Sequence, residues 1–193
     1  MISAGVDEVG RGPLAGPVIA AAVVLPDDFE LDGLTDSKKL SANKRDSLSR
    51  LIIQQALYWS IGRSEVGEID RINIFNASLL AMKRAVESLP VQPDVSLIDG
   101  KWAPKLTCRT RTIIKGDLSE PSISAASIVA KVLRDNEMCV LHDTYPGYGF
   151  DRNKGYATAR HLQALRSIGV CRAHRRSFAP VRRALSVQSL LNL

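Results

Sequence analysis

The chain has 193 residues, 45% hydrophobic and 24% charged, an ordinary globular composition and long enough to bury a core without disulfide or structural-metal staples. Its longest apolar run, Val18 to Leu25, is far below the ~20 residues of a membrane-spanning helix, and no basic segment followed by an apolar stretch suggests a secretory leader. The net charge of +6 is uneven: residues 151–193 hold nine Lys/Arg (Arg152, Lys154, Arg160, Arg166, Arg172, Arg175, Arg176, Arg182, Arg183) against Asp151 alone, which points to an anionic partner.

Ile2 to Val6 is a short apolar run leading into Asp7-Glu8 and then Gly10-Arg11-Gly12-Pro13, which reads as a strand closed by a turn. Val18 to Leu25 is β-branched and bounded by prolines, so it predicts a buried strand and, with the first, a hairpin. Asp36-Ser37-Lys38-Lys39-Leu40 is a polar loop. Ser41 can cap a helix to about Ala56, with Leu48, Leu51, Ile52 and Gln55 at helical spacing. Leu57 to Gly62 alternates as a third strand. Asn73 can cap a second helix to about Leu89, ended by Pro90. Val95 to Ile98 is a fourth strand stopped by Asp99-Gly100, and Thr110 to Ile114 a fifth stopped by Lys115-Gly116-Asp117. A long helix follows from about Ser122 to Leu141, then a glycine- and aromatic-rich stretch over 145–156, then helical segments near 157–168 and 179–190. A hairpin followed by alternating helices and strands predicts an α/β fold, a mixed sheet with helices on its faces. One unit over 1–193 is expected, with a core to about 145 and a basic helical region from about 146.

In such sheets, sites form outside the carboxyl ends of strands. Three acidic positions fall there: Asp7-Glu8, Asp99 and Asp117. Carboxylates at the edge of a core are costly unless paired or bound to a cation. If the four converge, their repulsion calls for a divalent ion, and hard oxygen donors favour Mg²⁺ or Mn²⁺ over zinc. Turn-forming roles remain open for Asp99 and Asp117. Gly10-Arg11-Gly12 offers uncovered backbone N–H groups that can approach a phosphate or hydroxyl, or it is a plain hairpin turn. Lys38 and Lys39 can contact phosphates or simply solvate a loop. Ser122, Ser124 and Ser127 fit either a phosphate at a helix start or packing. Asp135 reads as structural, paired with Arg134 or Lys131. His142, His161 and His174 show no zinc spacing and read as structural or surface groups. Cys108, Cys139 and Cys171 are odd in number and lack a C-x-x-C, so free buried thiols in a reducing cytoplasm are expected.

Gly5-Val6-Asp7-Glu8-Val9-Gly10-Arg11-Gly12-Pro13-Leu14-Ala15-Gly16-Pro17 resembles the signature of the ribonuclease HII family, D-E-A-G-R-G-P. Asp36-Ser37-Lys38-Lys39-Leu40, Leu97-Ile98-Asp99-Gly100, Lys115-Gly116-Asp117 and Ser124-Ala125-Ala126-Ser127-Ile128-Val129-Ala130-Lys131 follow in family order. So do Arg134-Asp135, Tyr148-Gly149-Phe150, Lys154-Gly155-Tyr156 and His174-Arg175-Arg176-Ser177-Phe178. Val9 stands where the family more often has alanine, and Ala157 replaces the proline that usually follows the tyrosine.

The resemblance implies an RNase H-like mixed five-stranded sheet flanked by helices, with a helical C-terminal region. It implies cleavage of the RNA strand of RNA–DNA hybrids and nicking on the 5′ side of single ribonucleotides in duplex DNA, leaving 3′-hydroxyl and 5′-phosphate ends. The family's metal-binding and catalytic carboxylates fall on Asp7, Glu8, Asp99 and Asp117, taking Mg²⁺ or Mn²⁺, two ions in the substrate complex. Its substrate-binding turn falls on Gly10, Arg11 and Gly12, its sugar-contacting tyrosine on Tyr156, and Lys38 and Lys39 join the substrate contacts. Only the 2′-hydroxyl separates RNA from DNA at one nucleotide, which suits a turn that lets backbone approach it. Rival readings are another RNase H-like nuclease, such as a junction resolvase, and a basic nucleic-acid-binding module whose carboxylates only cap. Gln188-Ser189-Leu190-Leu191-Asn192-Leu193 loosely resembles peptides that bind the bacterial sliding clamp, or finishes the last helix. A cytoplasmic monomer with no membrane contact is expected.

Overall fold

The computed structural model describes residues 1–30 and 40–191, without the side chains of 188–191. Lys38, Lys39 and the side chains of Gln188–Leu193 therefore lie outside the described residues. Five strands form one sheet in the order β3-β2-β1-β4-β5. They are β1 (Ser3–Val9), β2 (Val18–Val24), β3 (Tyr58–Ser64), β4 (Val95–Asp99) and β5 (Arg109–Ile113). β1 pairs antiparallel with β2 as the expected hairpin, β2 antiparallel with β3, and β4 runs parallel to both β1 and β5. The mixed sheet follows from its connections. Tight turns can only reverse a strand, and parallel members need longer crossovers: β1 reaches β4 through β2, a helix, β3 and a second helix, whereas β4 reaches β5 through the non-helical segment 100–108.

Among the described residues there are six α-helices: α1 (Ala42–Gln55), α2 (Val66–Glu87), α3 (Pro121–Thr144), α4 (Phe150–Asn153), α5 (Ala159–Ser167) and α6 (Ala179–Leu191). Side-chain alternation along β2 assigns the faces. Val18, Ala20, Ala22 and Val24 pack with Ala77, Ala81 and Ala85 of α2, while Ile19, Ala21 and Val23 pack with Leu48 and Ile52 of α1 and Ala125 to Ala130 of α3. The alanines set the spacing. Small side chains let α3 lie close to the sheet, and at Gly5 a β-carbon would stand only 2.1 Å from the Ser122 carbonyl carbon.

Ser41 caps α1 as expected, accepting from Lys44 N at 3.3 Å. Asn73 also caps as expected, accepting from Asn76 N at 3.0 Å, but it does so inside a longer α2 that begins at Val66. A capping box between Glu65 and Glu68 starts that extra segment, and Val66, Ile69 and Ile72 give it an apolar stripe at helical spacing that the sequence reading passed over.

The C-terminal region packs around Phe150, Leu165, Val181, Leu14 and Met138. Asp70 of α2 accepts from Arg176 N (2.9 Å), Ser177 N (2.8 Å) and Ser177 Oγ (2.6 Å), tying it to the body. At its centre a proton chain is fixed by its ends. His161 Nδ1 donates to the Tyr156 carbonyl at 2.9 Å, so neutral His161 accepts at Nε2 from His174 Nε2–H at 3.0 Å, and His174 Nδ1 accepts from Cys171 N at 3.1 Å. Both rings are buried, and burial with the neighbouring His161 holds His174 down to about 4. Unfolded, the same ring protonates near ~6.5, so the native state binds fewer protons in between. Stability is full above pH ~6.5 and is lost as pH falls toward the folded value. Over that window the native midpoint should fall relative to that of His174→Gln, since the opposing gain as Asp7 and Glu8 take up protons is common to both proteins. Parallel pH curves for the two proteins would contradict this account.

Candidate active site

β1 runs three residues further than the apolar pattern predicts, because its ladder with β2 continues through Asp7↔Ala21, Glu8↔Ala20 and Val9↔Ile19. Asp7 and Glu8 therefore lie within the strand, not beyond its end. Alternation turns Asp7 to the α3 side, where it is 8% exposed, and Glu8 to the other. Asp99 is the last residue of β4. The β1–β4 register ends at Val6↔Ile98, and its next step sets Asp7 opposite Asp99, one interstrand spacing of ~4.8 Å away. Gly116 N donates to Asp99 Oδ1 at 2.8 Å and fixes the 3₁₀ turn Gly116–Leu118 against β4. Asp117 sits in that turn, part-buried, and its carbonyl accepts from Ser124 Oγ at 2.6 Å. Lys115 enters the turn at φ 58°, a strained backbone of the kind that gathers at functional sites.

Burial pushes the Asp7 carboxyl well above the usual range, and repulsion from Glu8 and Asp99 pushes it further. The Ser127 hydroxyl and the Glu8 N–H (2.7 Å) bond to Asp7 and offset part of this. Burial raises Glu8 to about 7, against the opposing pull of Arg11, whose guanidinium lies 3.4 Å away. Among the described residues, no three His, Cys, Asp or Glu side chains already stand together as a cage for an ion. What the geometry provides is a buried, mutually repelling carboxylate set with only partial hydrogen-bond cover. Its donors are all hard oxygens, which fits Mg²⁺ or Mn²⁺ and not a soft-ligand metal. Of the serines weighed from sequence, Ser127 supports Asp7 and Ser124 holds the Asp117 turn.

The Gly10–Pro17 segment is held from beneath by two guanidiniums. Arg175 donates to the carbonyls of Gly10 (2.6 Å), Gly16 (2.9 Å), Arg11 (3.1 Å) and Pro17 (3.2 Å). Arg134 donates to Pro17 (3.1 Å), Lys154 (3.1 Å) and Ala15 (3.2 Å). Both are fully buried, and burial lowers Arg175 to about 9, with the Arg134 charge adding to it. The turn carbonyls are thus held by buried donors, and Arg11 and Gly12 at its tip are exposed. Gly10 takes φ 99°, where a β-carbon would lie 2.3 Å from Arg134 Nε, so no other residue fits. Beyond it, a β-carbon on Gly12 would stand 3.3 Å from the Tyr156 ring, which brings the predicted tyrosine against the predicted turn. Tyr156 is 42% exposed, and its backbone is fixed by the Asn153, Thr158 and His161 contacts.

Sequence reading missed the two buried arginines. Arg175 counts as surface charge in any segment total, and Arg134 sits in a helix without a distinguishing pattern. The basic tail is correspondingly thinner: Arg152, Arg160, Arg166, Arg172, Arg176, Arg182 and Arg183 are exposed, but Arg175 is not. Asp135 pairs with Lys131 at 2.6 Å, as expected, and also lies 3.7 Å from Arg45. The three cysteines are free, but none is fully buried: Cys139 is exposed and the others part-buried. A cavity of about 660 Å³ between α5 and α6, lined by Leu165, Ile168, Pro180, Ala184 and Val187, lies apart from the carboxylates.

The Ribonuclease HII family model matches residues 4–181. A Ribonuclease HII of Nitrosococcus oceani is 57% identical over 182 residues, covering 94% of this chain and 90% of its own. The crystal structure of ribonuclease H2 from Pyrococcus horikoshii superposes with a TM-score of 0.80 at 26% identity, over 97% of this chain and 98% of that one. A PCNA:RNase HII complex from Archaeoglobus fulgidus gives 0.70 at 24% identity, over 94% and 96%, a likeness of fold.

Proposed function

The chain belongs to the ribonuclease HII family of metal-dependent endoribonucleases, and we propose that it cleaves the RNA strand of RNA–DNA hybrids and nicks duplex DNA on the 5′ side of a single ribonucleotide. The observation that carries this reading is the Tyr156 ring set against the Gly10–Gly12 turn, which follows Asp7 and Glu8 directly in the chain. An exposed aromatic ring thus lies against turn backbone that begins two residues after the acids. Backbone N–H groups of Gly10–Gly12 bind the 2′-hydroxyl and its phosphate, and the Tyr156 ring packs on the neighbouring sugar. Asp7, Glu8, Asp99 and Asp117 would hold Mg²⁺ or Mn²⁺, two ions in the substrate complex, supplying water activation and stabilisation of the leaving 3′-oxygen. Ser127 and the Glu8 N–H orient Asp7, while Gly116 N orients Asp99. Water adds across the P–O3′ bond, leaving 3′-hydroxyl and 5′-phosphate ends. The exposed arginines of residues 152–183 grip the duplex backbone, so binding should weaken steeply with salt.

A DNA duplex carrying one ribonucleotide tests the reading. Nicking on its 5′ side only with Mg²⁺ or Mn²⁺ supports it. Equal cleavage of all-DNA duplex would favour the resolvase class, and no cleavage a binding module. Tyr156→Ala should reduce kcat/KM by about 10-fold or more at isolated ribonucleotides and less on long hybrids. Equal losses on both would remove the junction-sensing role from Tyr156. A sliding clamp is a second proposed partner, supported by the terminal Gln188–Leu193 sequence; deleting 188–193 without loss of clamp affinity would end it.

A further inference from the structure

α2 breaks at Asn73, which takes φ 67° and ψ 165°, and restarts with Phe75 in the first turn of its second half. Phe75 meets Trp102 edge to face, with ring centroids 5.9 Å apart and planes at 89°. Both rings face water, Trp102 at 65% exposure and Phe75 at 36%. Aromatic surface of this size left uncovered is unfavourable and marks a contact site more often than a single exposed aliphatic does. Trp102 follows Asp99 by three residues, so their Cα atoms are at most ~11 Å apart, about three base-pair steps of a duplex. The two segments that carry the pair, 71–76 and 100–107, contain Arg71, Lys101 and Lys105 and no acid. All three cations are exposed.

We propose that Phe75 and Trp102 form a stacking ledge for the substrate, on which the base and sugar of a nucleotide within about three base pairs of the cleaved bond rest, with Arg71, Lys101 and Lys105 supplying charge for the adjoining phosphates. The inference rests on the nuclease reading above. Exposed aromatic rings on segments that carry exposed cations and no acid suit nucleic acid, because every base has a π-face and every step a phosphate. A protein partner in this position would stand beside Asp99 and obstruct the duplex that the site must admit.

Trp59 and Trp102 are the two tryptophans of the chain, and Trp59 lies on β3, the edge of the sheet farthest from β5. Trp59→Phe therefore leaves Trp102 as a single reporter. In chelating buffer, adding a duplex with one ribonucleotide should quench Trp102 emission saturably, in step with the anisotropy of a labelled duplex, while polyphosphate should not. With Mg²⁺, Trp102→Ala should raise KM about tenfold with kcat nearly unchanged, and Trp102→Phe should restore most of the loss. Unchanged emission at saturating duplex, or an unchanged KM in Trp102→Ala, would overturn the ledge while leaving the nuclease reading intact. A native chain that quenches with duplex but cleaves neither hybrids nor ribonucleotide-containing DNA would sink the nuclease reading and retain the ledge.

Discussion

Asp7→Asn should lower metal-dependent cleavage by ~10³-fold or more and, in chelating buffer, make the protein more heat-resistant. The two effects have one cause. Asp7 is a buried carboxylate facing Asp99 across one strand spacing, with Glu8 next in the chain, and both neighbours add to the penalty that burial imposes. The amide has nearly the same shape and still accepts from Ser127 and from the Glu8 N–H. What it removes is the charge, and with it the repulsion. Relief of about 1 kcal/mol would move the midpoint of a chain this size by ~2–4 °C. The same charge is what a divalent cation would be drawn to, so Mn²⁺ should stabilise the native protein and have little effect on Asp7→Asn. On the proposed reading duplex affinity rests on the arginines of residues 152–183, so it should change little. Calorimetry with and without Mn²⁺, beside a cleavage assay, reads all three effects. A variant that keeps activity, or that is less stable than the native chain in chelator, would remove Asp7 from the centre of the site.

Much of this was legible in the sequence, and the boundary between what was and was not is physical. β-branched runs, prolines and capping residues act locally, so the five strands, Ser41 and the capping by Asn73 could be read directly. The end of β1 could not. Hydrophobicity stops at Val6, but the β1–β2 ladder runs to Val9↔Ile19, because backbone pairing does not require apolar side chains. That carries the two acids into the sheet. Spacing alone left open whether Asp7, Asp99 and Asp117 meet; the parallel β1–β4 register and the Gly116–Asp99 bond bring them to one edge. Arg134 and Arg175 were illegible for another reason. All but one of the carbonyls they bond lie more than one hundred residues away, the exception being Lys154, and carbonyls carry no residue-type signal.

Arg175→Ala should be among the most damaging changes that spare every carboxylate. Arg175 is fully buried, has no acidic side chain bonded to it, and donates to the carbonyls of Gly10, Arg11, Gly16 and Pro17. Truncation removes this donor from the carbonyls of Gly10, Arg11 and Gly16, while Pro17 keeps its bond from Arg134; each acceptor that stays unsatisfied costs ~1–3 kcal/mol, and a cavity opens as well. A total loss of ~3–5 kcal/mol is expected. Arg175→Lys separates charge from shape. An ammonium keeps the charge but is a compact point with three donors, and it cannot reproduce the planar fork that spans the carbonyls of residues 10–17. Lysine is also more readily neutralised by burial, where the Arg134 charge already disfavours a second cation. Arg175→Lys should therefore fold with a lower midpoint and lose discrimination between ribonucleotide-containing and all-DNA duplex more than it loses overall duplex binding. That divergence follows from the proposed roles: duplex grip would come from exposed arginines, while recognition of one hydroxyl would need the Gly10–Gly12 N–H groups held to within a few tenths of an ångström. Equal losses of binding and discrimination in Arg175→Lys would mean that the guanidinium only stabilises the fold, and the turn would then have to be positioned by Arg134 and Tyr156 alone.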